Sequence, residues 1–290
     1  METLGFIAAL VSAASWAFGT VMFDRIGKSI PYVGITFLKG FFSIILMAVL
    51  AICNDGITDC KLFDFVILAL SGIIGISIGD TLFFRSLQDL GAKIQVLYFM
   101  LGQIVTMLLS FLFLGDVLTI GEYIGSLVLL TGIIVVTWGR QENHPNKTRG
   151  IIGGFLSILC FSVSSIMVKI AIADIDVITA TFYRMLFGTI FVMFAGFTSN
   201  KLMSWIKPLK DVKLLANFVV NVVVITLGGF LLSMYAIKNI SVALASVLST
   251  TEPVFVLIFA YLINKEKIIR RDIIGTIVTI IGLMIIILYE

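Results

Sequence analysis

The chain of 290 residues is 60% hydrophobic and only 13% charged, with a formal net charge of +3. Soluble domains are near half apolar and a quarter charged. This composition therefore excludes a water-soluble globular protein and points to a chain whose outer faces meet lipid. The charge is too small to imply a nucleic-acid partner, and four prolines with few polar tracts leave no room for a sizeable soluble domain.

A helix needs ~20 apolar residues to cross the hydrocarbon, and ten runs meet that need. The first, 4–23, carries Trp16-x-x-Gly19. It follows Met1-Glu2-Thr3, which has no basic stretch and no small-residue cleavage pattern after it, so it is expected to stay as a mature helix. The second, 32–53, holds Lys39, and the third, 63–86, closes on Gly79-Asp80-Thr81-Leu82-Phe83-Phe84. Runs 92–114, with Tyr98 and Gly102-Gln103, and 119–138 complete a first unit, 1–138. A polar linker, 139–150, contains the single histidine, His144. The second unit, 151–290, has runs at 151–170, 177–198 with Tyr183 and Arg184, 214–237 with Tyr235, 241–263 with Glu252-Pro253, and 271–289. The joints are short, so consecutive helices must be antiparallel. The expected fold is an all-α integral membrane protein of ten transmembrane helices.

Lysine and arginine bias orients such chains. One set of joints holds Arg25, Lys28, Arg85, Lys93, Arg140, Lys147, Arg149, the stretch Lys201–Lys213 and Lys265–Arg271. The other holds only Lys61, Lys169 and Lys238. The rich side is expected to be cytoplasmic and both termini extracytoplasmic, in a bacterial or archaeal cell membrane. The stretch Lys201–Lys213, which includes Trp205, is expected to lie along the cytoplasmic leaflet.

The two units repeat one another. At a constant offset of 150, Gly79 meets Gly229, Leu82 meets Leu232, Asp116 meets Glu266, Glu122 meets Asp272, Gly125 meets Gly275 and Gly132 meets Gly282. Earlier helices match at a shifted offset: Thr36-Phe37-x-Lys39 lies beside Thr181-Phe182-x-Arg184, and Gly5-Phe6 beside Gly154-Phe155. Five helices per unit is an odd number, so the second copy enters the membrane from the other side. Two halves inverted in this way can rock about a site at the midplane and open it alternately to each face.

These motifs resemble the EamA-type transporters of the drug/metabolite transporter superfamily. The resemblance covers essentially the whole chain and rests on Trp16-x-x-Gly19, Gly79–Phe84, Glu252-Pro253, and the loop acid Glu266 followed by Gly275 and Gly282, echoed by Asp116, Gly125 and Gly132. It implies a secondary transporter, expected to export a small organic metabolite or drug-like solute, or else a flippase for a lipid or lipid-linked head group on the same fold. The first-half counterpart of Glu252-Pro253 is Gly102-Gln103, so that charge has no twin.

Charged residues inside spans cost ~2.5–3.5 kcal/mol each on insertion scales and mark functional positions. Glu252 lies at mid-helix. Pro253 frees the carbonyl of Ser249, and Thr250-Thr251 add two hydroxyls, which makes a polar notch. The acid either exchanges a proton during transport, binds a cation, or simply stabilises a kink. Asp80 and Lys39 lie at equal depth and form either a structural ion pair or a proton-switched gate. Arg184 either snorkels to the outer surface or faces the cavity and attracts a carboxylate or phosphate. Trp16, Tyr98, Tyr183 and Tyr235 are candidates to hold an organic solute by stacking.

Cys53, Cys60 and Cys160 have no metal or disulfide spacing, and no H-E-x-x-H, G-x-S-x-G or phosphate-loop motif occurs. An enzyme is therefore not expected, and neither a metal nor a cofactor. The expected partners are a small-molecule substrate, the bilayer and protons as coupling ion, in a monomer or homodimer.

Overall fold

The computed structural model describes residues 2–54, 56–117, 119–137, 146–249, 251–265 and 270–288. Within its helices, the side chains of Lys93, Tyr98, Gln103, Glu122 and Asp272 are among those outside the description, as are Glu266 and most of the linker. The described residues are helical from one end to the other. They form α1 (Glu2–Ile26), α2 (Tyr32–Cys53), α3 (Leu62–Ser71), α4 (Asp80–Leu114), α5 (Ile120–Thr137), α6 (Lys147–Ala171) and α7 (Val177–Thr198). There follow a short α8 (Leu202–Ile206), α9 (Val212–Val223), α10 (Leu232–Asn239), α11 (Val242–Ser249), α12 (Glu252–Asn264) and α13 (Arg270–Leu288).

Among the described residues, seven helices are long and apolar enough to cross a membrane, and shorter apolar helices cover Val105–Leu114, Tyr123–Gly132 and Ile273–Gly282. Large apolar side chains stay exposed at helical spacing: Phe41, Ile45, Val49 and Ile52 on α2, and Ile273, Ile277, Ile281 and Met284 on α13. In water such faces would drive aggregation. In a bilayer they are the correct solvent contact, so this is a multi-pass membrane protein.

Three details depart from regular α-helix, each for a readable reason. The Gly72–Gly79 segment, which joins α3 to α4, and Val224–Leu231, which joins α9 to α10, are π-helical. Both are apolar and glycine-containing, and π segments collect at functional places in helices. In α4 the chain kinks at Gly91, whose φ of 75° is open to glycine and strained for other residues. That kink is the joint expected at Asp89-Leu90-Gly91. The helix α6 starts at Lys147, inside the stretch expected to be linker. Its first turn carries exposed Lys147, Thr148 and Arg149, while Gly150 is buried beside Asp89 and Leu90. A helix can extend past the hydrocarbon into water when its last side chains are charged.

The cationic stretch is short and irregular. It folds as α8 and a 3₁₀ turn, Lys207–Lys210, with exposed lysines, but Trp205 is buried. Its ring lies 6.0 Å from that of Phe37, against Gly34 of α2 and Gly196 of α7. The two glycines leave a slot there, so the indole packs on protein rather than lipid.

Two buried apolar clusters sit at opposite ends of the bundle. One gathers Phe6 and Ala9 of α1 with Val168, Ile172, Ile237 and Ile240. The other gathers Phe23 and Ile26 of α1 with Ile35, Phe84, Leu87 and Phe218. Ser12 and Ala13, in the middle of α1, belong to neither, and the cavity opens there, with Trp16 packed against the second cluster.

Candidate functional site

The cavity has a volume of about 150 Å³ and is bounded by α1, α4, α6, α7, α10, α11 and α12. Each element contributes polar groups to it at mid-depth. From α1 come Ser12 and Trp16, from α4 Asp80 and Thr106, from α6 Ser162, Ser164 and Ser165, from α7 Arg184, and from α11 and α12 Ser246, Ser249 and Glu252.

Glu252 stands at an irregularity within one apolar span, Val242–Ile263. α11 ends at Ser249 and α12 begins at Glu252. Proline in the first turn of a helix loses no needed N–H; Pro253 stands in the first turn of α12, and Thr251 before it keeps helical dihedrals of φ −74° and ψ −13°. An acid in a first turn also faces the positive end of the helix dipole. The Ser249 hydroxyl turns back to the carbonyl of Ala245 at 2.9 Å, and that of Thr251 to Leu248 at 2.8 Å. The notch expected here is therefore partly closed on itself, with Thr250 outside the description. The carboxyl of Glu252, buried, accepts a hydrogen bond from the Thr20 hydroxyl of α1 at 3.2 Å.

Lys39 and Asp80 form an ion pair, both side chains essentially without exposure. Three rings surround the ammonium: its nitrogen lies 4.6 Å from the Phe230 centroid, 5.4 Å from Phe84 and 5.6 Å from Trp16. Only Asp80 of the pair reaches the cavity wall, and among the described residues its Oδ1 has no hydrogen-bond partner.

Arg184 does not snorkel. It is buried and lines the cavity, donating to the Ser164 hydroxyl at 3.0 Å and to the Met234 sulfur at 2.9 Å. Ser164 is held in turn by the carbonyl of Ser71 at 2.8 Å. Among the described residues no carboxylate pairs with Arg184, and its Nε has no partner.

Of the ring candidates, Trp16 is in the wall, edge-on to Phe230 at 4.7 Å. Tyr183 and Tyr235 are not. Tyr183 neighbours Arg184 and so points about 100° away around α7; its ring meets Phe65 at 5.1 Å. Tyr235 lies between Ser233 and Ile237, which line the cavity, and two residues around a helix is the far side. It packs on the apolar cluster instead. The side chain of Tyr98 lies outside the description. Sequence reading missed Thr20, Ser164 and Met234. A hydroxyl run such as Ser162-x-Ser164-Ser165 inside an apolar span is the signal that could have found one of them.

Pairs across the bundle fix this frame. Arg149 holds Asp89 through Nε at 2.7 Å, Gln88 donates to the Ile30 carbonyl at 2.8 Å, and Lys238 donates to that of Ile175 at 2.7 Å. Asp116 accepts from the N–H of Val242 at 3.1 Å, capping α11.

Comparisons with known proteins agree with this architecture. The EamA-like transporter family matches residues 3–138 and again 148–288. An uncharacterized transporter of Archaeoglobus fulgidus is 22% identical over 98% of both chains. Another, of Synechocystis, is 27% identical over 76% of this chain and 64% of its own. A WAT1-related protein of Arabidopsis thaliana is 26% identical over 48% of this chain, and the match spans only 40% of that longer protein. One crystal structure shares the fold over 100% of this chain and 98% of its own, with a TM-score of 0.75 at 16% identity. The chain belongs to the EamA-like transporter family.

Proposed function

We propose that the protein is a secondary transporter of a small organic solute, working by alternating access around the mid-depth cavity, with Glu252 as the proton site. The carrying observation is a polar cavity, bearing Glu252, Arg184 and Asp80, between apolar clusters at both ends of the bundle. Such clusters are what must part, one at a time, to open a central site alternately.

Ten spans in two inverted units of five are part of this reading. α5 has 18 residues and α13 has 19, which at 1.5 Å per residue is close to the ~30 Å hydrocarbon. The family matches the chain twice, the third span of each unit carries a π segment, and the Gln88–Ile30 contact has its equivalent in Lys238–Ile175. A solute is favoured over a lipid head group. The groove that opens to the lipid side, lined by Leu10, Val11, Phe18, Val224, Phe255 and Phe259, is apolar and shares no lining residue with the polar cavity.

The test is transport in proteoliposomes. Screened against small metabolites, the purified protein is expected to move at least one faster with a pH gradient than without. Movement indifferent to the gradient would refute the proton, and no movement of any solute would refute the transporter reading. Orientation is tested separately. A reporter active only in the cytoplasm should work when placed within residues 139–150 and fail after Glu290; the reverse pattern would invert the topology.

A further inference from the structure

We infer that the solute is an organic monoanion and that Arg184 is the residue that holds its anionic group. This rests on the cavity being the transport site.

The argument starts from the two matched cations. Lys39 and Arg184 occupy corresponding places in the Thr-Phe-x-Lys and Thr-Phe-x-Arg motifs of α2 and α7. Both are buried, but their surroundings differ in the one respect that matters. The charge of Lys39 is cancelled by Asp80. At the offset that pairs Gly79 with Gly229, the position matching Asp80 is Phe230, so the second cation has no acid waiting for it. The structure agrees: among the described residues Arg184 donates hydrogen bonds to a hydroxyl and a thioether, its Nε has no partner, and Asp80, the acid whose charge it feels across the cavity, is already paired with Lys39.

A guanidinium has five N–H donors, and a thioether is a weak acceptor. Keeping such a group dry and under-satisfied is costly, and a buried charge persists where something compensates it. Arg184 also faces the cavity rather than the lipid. An anionic ligand group supplies what is missing, as a charge and as an acceptor that a planar guanidinium can grip with two parallel bonds. Lys39 and Asp80 sum to zero, so with Glu252 protonated the cavity carries one positive charge, and one anionic group neutralises it. A cavity near 150 Å³ takes a molecule about the size of a single aromatic ring. Its other walls, Trp16, Phe83, Phe161 and Phe230, suit an apolar remainder.

The experiment uses purified full-length protein. Benzoate, phenylacetate and benzenesulfonate are compared with benzamide and phenylethylammonium, by thermal stabilisation and by calorimetry. The anions are expected to bind about tenfold to a hundredfold more tightly than the amide, the range set by losing charge-assisted hydrogen bonds. Arg184→Gln should erase that preference without lowering the unfolding temperature, because it removes an uncompensated charge, and Arg184→Lys should keep part of it. Equal binding of amide and anions, a preference that survives Arg184→Gln, or no binding of any probe would overturn the inference. Counterflow of benzenesulfonate, whose charge is permanent, separates this from the transporter reading. If it binds through Arg184 but is not carried across the membrane, the anion site stands and the transport reading falls.

Discussion

Glu252→Gln is expected to insert, fold and bind solute, yet to lose transport driven by a pH gradient, down to the level of protein-free vesicles. Glutamine keeps an oxygen to accept the Thr20 hydroxyl that now lies 3.2 Å from the carboxyl, and it keeps the size of a buried side chain. It removes only the proton. A neutral amide in the first turn of α12 is no harder to bury than a protonated acid, so stability should change little. Exchange of solute for solute, which needs no net proton movement, should persist. The check is solute flux through both proteins in proteoliposomes across a range of pH. An unchanged pH profile would make Glu252 a structural residue at a helix start. Asp80→Asn then becomes the next proton-site test.

Asp80→Ala is expected to be the most destabilising single change in the cavity region, by about 3–5 kcal/mol, the usual penalty for stranding a buried charge. Lys39 would then keep its ammonium at zero exposure with only three aromatic faces for company. Cation–π contacts of that kind are worth about 2 kcal/mol or more when desolvated, but the rings supply no countercharge, so they lessen the loss without cancelling it. Removing both charges, as Lys39→Met with Asp80→Leu, should recover most of the stability, because a pair of that depth repays little more than its own desolvation. Thermal unfolding in detergent reads both outcomes. If the single variant is as stable as the parent, the pair is not a structural tie. If the double variant is stable but transports nothing, the pair serves the transport cycle.

The depth of each group was legible in the sequence; its direction around the helix was not. Lys39 and Asp80 fall at one level on neighbouring spans, and opposite charges in a low dielectric must meet, so their pairing could be read. Arg184 had two open readings because a long side chain near a span's end reaches either water or a cavity. Only the neighbours Ser164 and Met234 decide between them. Tyr183 and Tyr235 lie off the cavity wall for the same reason: which face of α7 or α10 points inward depends on packing that a lone apolar helix does not encode, since lipid and protein are equally hydrophobic hosts. Pro253 signalled an irregularity, but the partner of the acid beside it, Thr20, lies on a helix more than two hundred residues earlier in the chain and was out of reach of local reading. The short glycine joint at Gly91 was plain because its backbone geometry is tied to residue type.

The glycine face of α5 bears on how the molecule is assembled. Gly132 lies against the backbone of Gly275 and the backbone and side chain of Thr279, while Gly282 lies against the backbones of Gly125 and Leu129. α5 and α13 therefore bury their smoothest surfaces in one another. During synthesis α5 emerges long before α13, the last described helix, and until then that face has only lipid beside it. The first unit cannot finish its packing on its own, so completion of the whole is tied to a long-range contact, the slow kind in folding. A nascent chain halted before α13 would be inserted yet still incomplete, which leaves quality control a clear distinction between a partial and a finished transporter.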